Sequence, residues 1–140
     1  MFDLVMNRNQ AAERVQSVWA EAPTGALCLA VLDMVAHGVL KRLTFGQLGR
    51  LAEKTNAEEG DVARAVQYLT GDDLHLLDME FEFIDDDDEV MYFDLNALNE
   101  ARREGGLIHP ETGEEIENYE DRIFVTFVPS TLAKEIAANE

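Results

Sequence analysis

The sequence predicts an α+β fold: a helical N-terminal half, then a small antiparallel sheet and a C-terminal helix. Three observations predict it. Up to about residue 70, apolar residues recur at three- and four-residue spacing. The period then drops to two in Asp78-Met-Glu-Phe-Glu-Phe83, where acids and apolar residues alternate. Ile123-Phe-Val-Thr-Phe-Val128 is a further strand, and Pro129-Ser130 follows it as a helix start.

The first helix is predicted over Gln10–Ala20 from Ala11, Val15, Val18 and Trp19. Pro23-Thr24-Gly25 breaks it, and Thr24 is expected to cap a second helix reaching about Gly38. That helix is apolar on most of its circumference, which predicts a central position. Thr44-Phe-Gly-Gln47 fits a capping box for a third helix. Asn56-Ala-Glu-Glu59 fits the related form for a fourth, which Gly71 is expected to end as a C′ residue. The joint Lys54-Thr55-Asn56 is so short that these two amphipathic helices must cross steeply, as in a helix-turn-helix.

Asp78–Phe83 and Val90–Phe93 are predicted to form a β-hairpin around the turn Asp85–Glu89. Asp94 or Asn96 caps a short helix, Leu95–Glu104, that Gly105-Gly106 ends. His109–Gly113 reads as a turn and Glu114–Asp121 as an acidic loop. The continuous apolar run at 123–128 predicts a strand buried on both faces or paired with the hairpin. The 140 residues are read as one domain: a helical extension over 1–23, a core over 24–95, and loop, strand and terminal helix over 96–140.

In its order of helix, short helix, tight turn, helix and hairpin, the stretch LTFGQLGRLAEKTNAEEGDVARAVQYLTGDDLHLLDMEFEF resembles the winged helix-turn-helix superfamily. The resemblance covers about residues 24–95 and implies a recognition helix over Ala57–Thr70. It does not by itself imply DNA binding, because this scaffold serves both DNA recognition and protein docking.

Charge bears on that choice. Residues 1–70 hold eight acids and seven bases; residues 71–121 hold nineteen acids and two bases; the whole chain carries −18. DNA binders gain affinity by neutralising phosphates with Lys and Arg. Here the first turn of the implied recognition helix carries Glu58, Glu59 and Asp61. The implied wing carries Asp78, Glu80, Glu82, Asp85, Asp86, Asp87, Asp88 and Glu89. Each feature also has a plain structural role: acids complement a helix N-terminus, and acidic strand faces and turns are ordinarily solvated. Their accumulation in one stretch is what points to a basic partner.

No catalytic or cofactor site emerges. The chain contains no GxSxG, GxxxxGK[ST] or GxGxxG motif. His37, His75 and His109 stand singly, and with one cysteine they give no zinc spacing. His37 is expected to cap a helix end, and Cys28 to be a buried, inert thiol. The contiguous acids of IDDDDE lack the alternation and central glycine of an EF-hand. Neither metal nor cofactor is expected.

The leading expectation is a non-catalytic, cytoplasmic interaction protein. Its acidic residues would dock on a basic protein surface, with Tyr92 and Tyr119 as aromatic anchors. DNA mimicry is a sharper form, since alternate strand residues repeat every ~6.6 Å. The alternative is a DNA-binding transcription regulator using Lys41, Arg42, Arg50 and Lys54. Dimerisation through the apolar helix at 26–35, or through the terminal helix, is compatible with either. The N-terminal MFDLVMNRNQ lacks a secretory pattern, and no apolar run is long enough to span a bilayer.

Overall fold

The computed structural model describes residues 6–84, 88–109, 111–116 and 119–139. In chain order its elements are α1 (Arg8–Trp19), α2 (Pro23–Ala36), β1 (Leu43–Thr44), α3 (Phe45–Lys54), α4 (Glu59–Thr70), β2 (Leu77–Ile84), β3 (Val90–Asp94), α5 (Leu95–Glu104), β4 (Leu107–Ile108), β5 (Glu115–Ile116), a 3₁₀ turn (Tyr119–Arg122), β6 (Ile123–Pro129) and α6 (Thr131–Ala138). The chain is α+β and divides into two compact units. One comprises the described residues up to Asp78 and from Phe127 onward; the other is Met79–Thr126.

In the first unit α2 is central, packed against α1, α3, α4 and α6. Leu27, Cys28, Val31 and Leu32 have no solvent exposure, each fully buried leucine or valine contributing about 1.5–3 kcal/mol. The all-round apolar character read from the sequence has this cause. Ala26 is exposed and Leu29, Ala30 and Met34 are half-buried on the remaining side of the helix. Burial pushes the Cys28 thiol up to about 12, so it stays protonated. No described helix is long and apolar enough to cross a membrane.

The helix ends follow local chemistry. Asn7 and Gln10 form a capping box at α1, and Thr44 and Gln47 form the expected one at α3. At α2 the expected cap is displaced. Pro23 occupies the first helical position, after Ala22, and Thr24 turns inward to donate its hydroxyl to Asp61 at 2.6 Å. His37 does cap the end of α2, with Nδ1 donating to the Asp33 carbonyl at 2.7 Å.

Asn56 ends α3 rather than starting α4. It adopts φ 59°, and the next amide, Ala57 N–H, donates to Ala52 O at 2.8 Å. That is a Schellman closure, in which asparagine tolerates the left-handed conformation better than most residues. The cap of α4 therefore falls on Glu58, whose N–H donates to Asp61 Oδ2 at 2.9 Å. Gly71 closes α4 at φ −85°, which is not the left-handed conformation expected of a C′ glycine.

A four-stranded sheet has the order β1-β6-β2-β3. Ser130 N–H donates to Leu76 O and Thr126 Oγ1 to Glu80 O. The partners advance in opposite directions, so β6 runs antiparallel to β2. On its other edge β2 pairs with β3, setting Phe81 opposite Phe93, Glu82 opposite Tyr92 and Phe83 opposite Met91.

The second unit has its own core of Phe81, Phe83, Leu98, Ala101, Leu107 and Tyr119. Helix α5 starts at Asp94, which accepts from Ala97 N–H at 2.8 Å, and stops at Gly105, φ 83°. The expected acidic loop contains structure that charge alone concealed. β4 and β5 form a small antiparallel pair around the predicted turn, where Gly113 N–H donates to His109 O. β6 pairs with the hairpin strand β2, as one of the two expectations had it; on its two faces Thr126 and Phe127 are both buried, while Phe124 is 56% exposed.

Ser130 joins two elements of the first unit. Its hydroxyl donates to the His75 carbonyl at 2.6 Å and accepts from Ala133 N–H, capping α6. Ser130→Ala is expected to cost about 1–2 kcal/mol. Urea titration should show a lower midpoint at unchanged slope; an unaltered midpoint would contradict this role.

Candidate functional site

The N-terminal turn of α4 carries three of the acids singled out from the sequence, and the structure separates them. Glu58 and Glu59 are exposed, while Asp61 is buried. Asp61 Oδ1 accepts from Thr24 Oγ1 and, at 2.9 Å, from Arg64 Nη2. The Glu58 amide, then Thr24, then Arg64 hold its carboxyl down to about 2. Asp61 is therefore a structural link between α2 and α4 and is not available to a partner, which corrects its assignment to the acidic surface.

The same network uses Arg64, the only base on α4. Two further bases of the first unit are also paired: Arg8 with Asp33 at 2.7 Å and Arg14 with Asp73 at 2.8 Å. Of the residues named for the DNA-binding alternative, Arg50 and Lys54 lie one turn apart on α3. They border a cavity of about 270 Å³ with Met34, Leu43, Gln47 and Leu51. Lys41 is exposed and Arg42 half-buried, and neither lines that cavity.

Along β2 the acids share one side, as their alternation predicts, but in different states. Asp78 is exposed and hydrogen-bonded to His75. Glu80 and Glu82 are half-buried, so the row of acids is less open than the sequence implies. Asp85, Asp86 and Asp87 lie outside the described residues. Asp88, at φ 62°, and Glu89 are exposed.

The two aromatic candidates part company. Tyr92 is 51% exposed on β3. Tyr119 is 8% exposed, because the 3₁₀ turn points it into the core among Leu98, Ala101 and Leu107. It also borders a cavity of about 550 Å³ with Arg102, Glu115, Glu120 and Asp121. As an exposed anchor it is ruled out.

Strand register supplies a residue that the sequence reading missed. Continuing the Glu80–Thr126 contact two residues along each antiparallel strand sets Phe124 beside Glu82. Glu82 also faces Tyr92. One row across the sheet therefore reads Phe124, Glu82, Tyr92, with both rings about half exposed. The opposite face of these strands is occupied by the Phe81, Phe83 and Leu98 cluster. Phe124 lies in a run whose one polar residue, Thr126, is itself buried, so polarity does not mark the outward residue.

Among the described residues no three His, Cys, Asp or Glu side chains form a group that could hold a metal ion. Comparison with protein-family models, with curated proteins and with solved structures finds no match.

Asp61 has a pH signature. Its folded-state pKa is depressed, so its contribution to stability is full above the unfolded carboxylate range near ~4 and is lost as pH falls through the folded value of about 2. Asp61→Asn is expected to lower the melting temperature at neutral pH. The gap to wild type should narrow steadily from about pH 5 toward pH 2. A gap independent of pH would mean that the carboxylate charge is not what links α2 to α4.

Proposed function

We propose that this chain is a non-catalytic acidic interaction module on a winged-helix-like scaffold, docking on a basic surface of a partner protein. The scaffold reading is supported by the succession α2, β1, α3, tight turn, α4, β2, which follows the order of the resemblance. One observation carries the functional reading. On α4 the only base, Arg64, lies against Asp61, while Glu58 and Glu59 face outward.

A recognition helix reads base edges with the residues of its N-terminal part. Phosphate contact requires cations that are free to release counterions. The exposed start of α4 offers carboxylates instead. The second unit adds weight, since Met79–Thr126 carries sixteen acids against three bases. A field of that sign raises encounter rates with a cationic surface and repels nucleic acid.

The transcription-regulator reading has one observation in its favour: Arg50 and Lys54 stand side by side on α3, near Lys41 and Arg42 in sequence. DNA mimicry would need a longer open row of acids than β2 supplies, since Asp78 is engaged by His75.

Affinity capture on the immobilised full chain, at about 50 and about 500 mM salt, separates these readings. The expected result is a basic protein held at low salt and released at high salt. Its retention should fall about tenfold or more when Glu58, Glu59, Glu80 and Glu82 are together replaced by Gln. A low-salt gel shift of random duplex DNA, abolished by Arg50→Ala with Lys54→Ala, would replace this proposal with the regulator.

A further inference from the structure

The outer face of the sheet in the second unit combines two features that rarely coincide on a solvated surface. Phe124 and Tyr92 are 56% and 51% exposed, and both flank a half-buried carboxylate, Glu82. With strands about 4.8 Å apart, the two ring-bearing positions lie about 10 Å from each other, with Glu82 midway. Glu80 and Asp94 form the next row along the strands. Val90, 44% exposed, continues the apolar border on β3.

The inner face of the same strands is covered by α5 through Leu98 and Ala101, so a polar outer face is the ordinary expectation. Two exposed aromatic rings around one carboxylate are instead the elements of a cation-binding row. The rings give flat, electron-rich faces, and the carboxylate gives a charge-assisted hydrogen-bond acceptor between them.

We infer that the row Phe124–Glu82–Tyr92 receives an arginine side chain from a basic segment of a partner protein. This deepens the proposed function and rests on it. Charge complementarity selects the occupant. A second copy would set one unit of sixteen acids and three bases against another, and like charges so juxtaposed oppose pairing. Nucleic acid is repelled for the same reason. Arginine fits better than lysine: its guanidinium is planar, stacks on aromatic faces, is weakly hydrated, and can meet a carboxylate with two parallel N–H donors.

The test uses the full chain and two synthetic peptides of equal length and charge, one carrying arginines and one carrying lysines at the same positions. Fluorescence anisotropy at physiological salt is expected to give about fivefold or more tighter binding of the arginine peptide. Phe124→Ala and Tyr92→Ala should each remove most of that preference while leaving lysine-peptide binding within about twofold. Glu82→Gln should weaken the arginine peptide more than Glu58→Gln does. Wild-type NMR gives a readout independent of variant folding, since the arginine peptide should shift the Tyr92 and Phe124 ring protons. Equal affinity for both peptides, with those ring protons unmoved, would overturn this inference while leaving the acidic docking module standing. Binding of neither peptide would overturn both. A dimer in sedimentation that Phe124→Ala dissolves would show that a second copy, and not a basic segment, covers the face.

Discussion

Ser130 reaches back 55 residues to the His75 carbonyl, and its N–H donates to Leu76 O beside it. These bonds fix β6 alongside β2, and much else follows from that pairing. In the first unit it starts α6 and holds Phe127 fully buried, edge-on to Phe45 at 5.2 Å. In the second it makes β2 an interior strand, with β6 on one side and β3 on the other. Phe81 and Phe83 are then committed to the core face, and Glu80 and Glu82 to the outer face. A contact so distant in sequence carries a loop-closure cost that local contacts do not. The large buried side chains it brings together offset that cost.

In the proposed docking, the same register determines which acids would face a partner. Carboxylates ~6.6 Å apart along one strand face repel by only about 0.6 kcal/mol in water, and salt screens that further. No single acidic neighbour is therefore hard to tolerate. Partial burial changes the balance, because a carboxylate with less water around it gains more from a cation brought close. Glu82 is in that position, half-buried between two aromatic residues. Glu58 and Glu59 are solvated at a helix N-terminus, where the macrodipole already stabilises them. In the proposed docking, the α4 acids would set long-range attraction and the sheet row would provide the specific contact.

Much of the fold was legible because it rests on short-range chemistry. The Thr44–Gln47 box, the Asp94 and Ser130 caps, the Gly105 stop and the alternation in β2 are each fixed within a few residues. The misread features arose where a residue could serve two local structures or a distant one. Asn56 fits both an N-cap and a left-handed C′ position, and the closure of α3 through Ala57 decided between them. Thr24 looks like a cap, but its partner Asp61 lies 37 residues away. Tyr119 and Phe124 are close in sequence and opposite in exposure. One sits on a 3₁₀ turn and the other in a strand whose apolar run does not mark its faces. The β4–β5 pair was hidden because each strand is two residues long, too short for any alternation to show.

The Asp61 network bears on the proposed choice between an α3–α4 pair that docks on protein and one that reads DNA. Both uses require α4 to be anchored at its N-terminus, and an acidic N3 residue does this well by accepting from the capping amide. Here Asp61 also accepts from Thr24 on α2, so one carboxylate sets both the start of α4 and its seat against the central helix. Arg64 balances that carboxylate, which leaves α4 without an uncommitted base among its own residues. Phosphate recognition would have to draw on bases outside α4, such as Arg50 and Lys54, which are separated by a single turn on α3. Arg64 stays more than half exposed but is paired with the carboxylate that anchors its own helix, and the proposed preference for protein over nucleic acid rests on the geometry of these three side chains as well as on net charge.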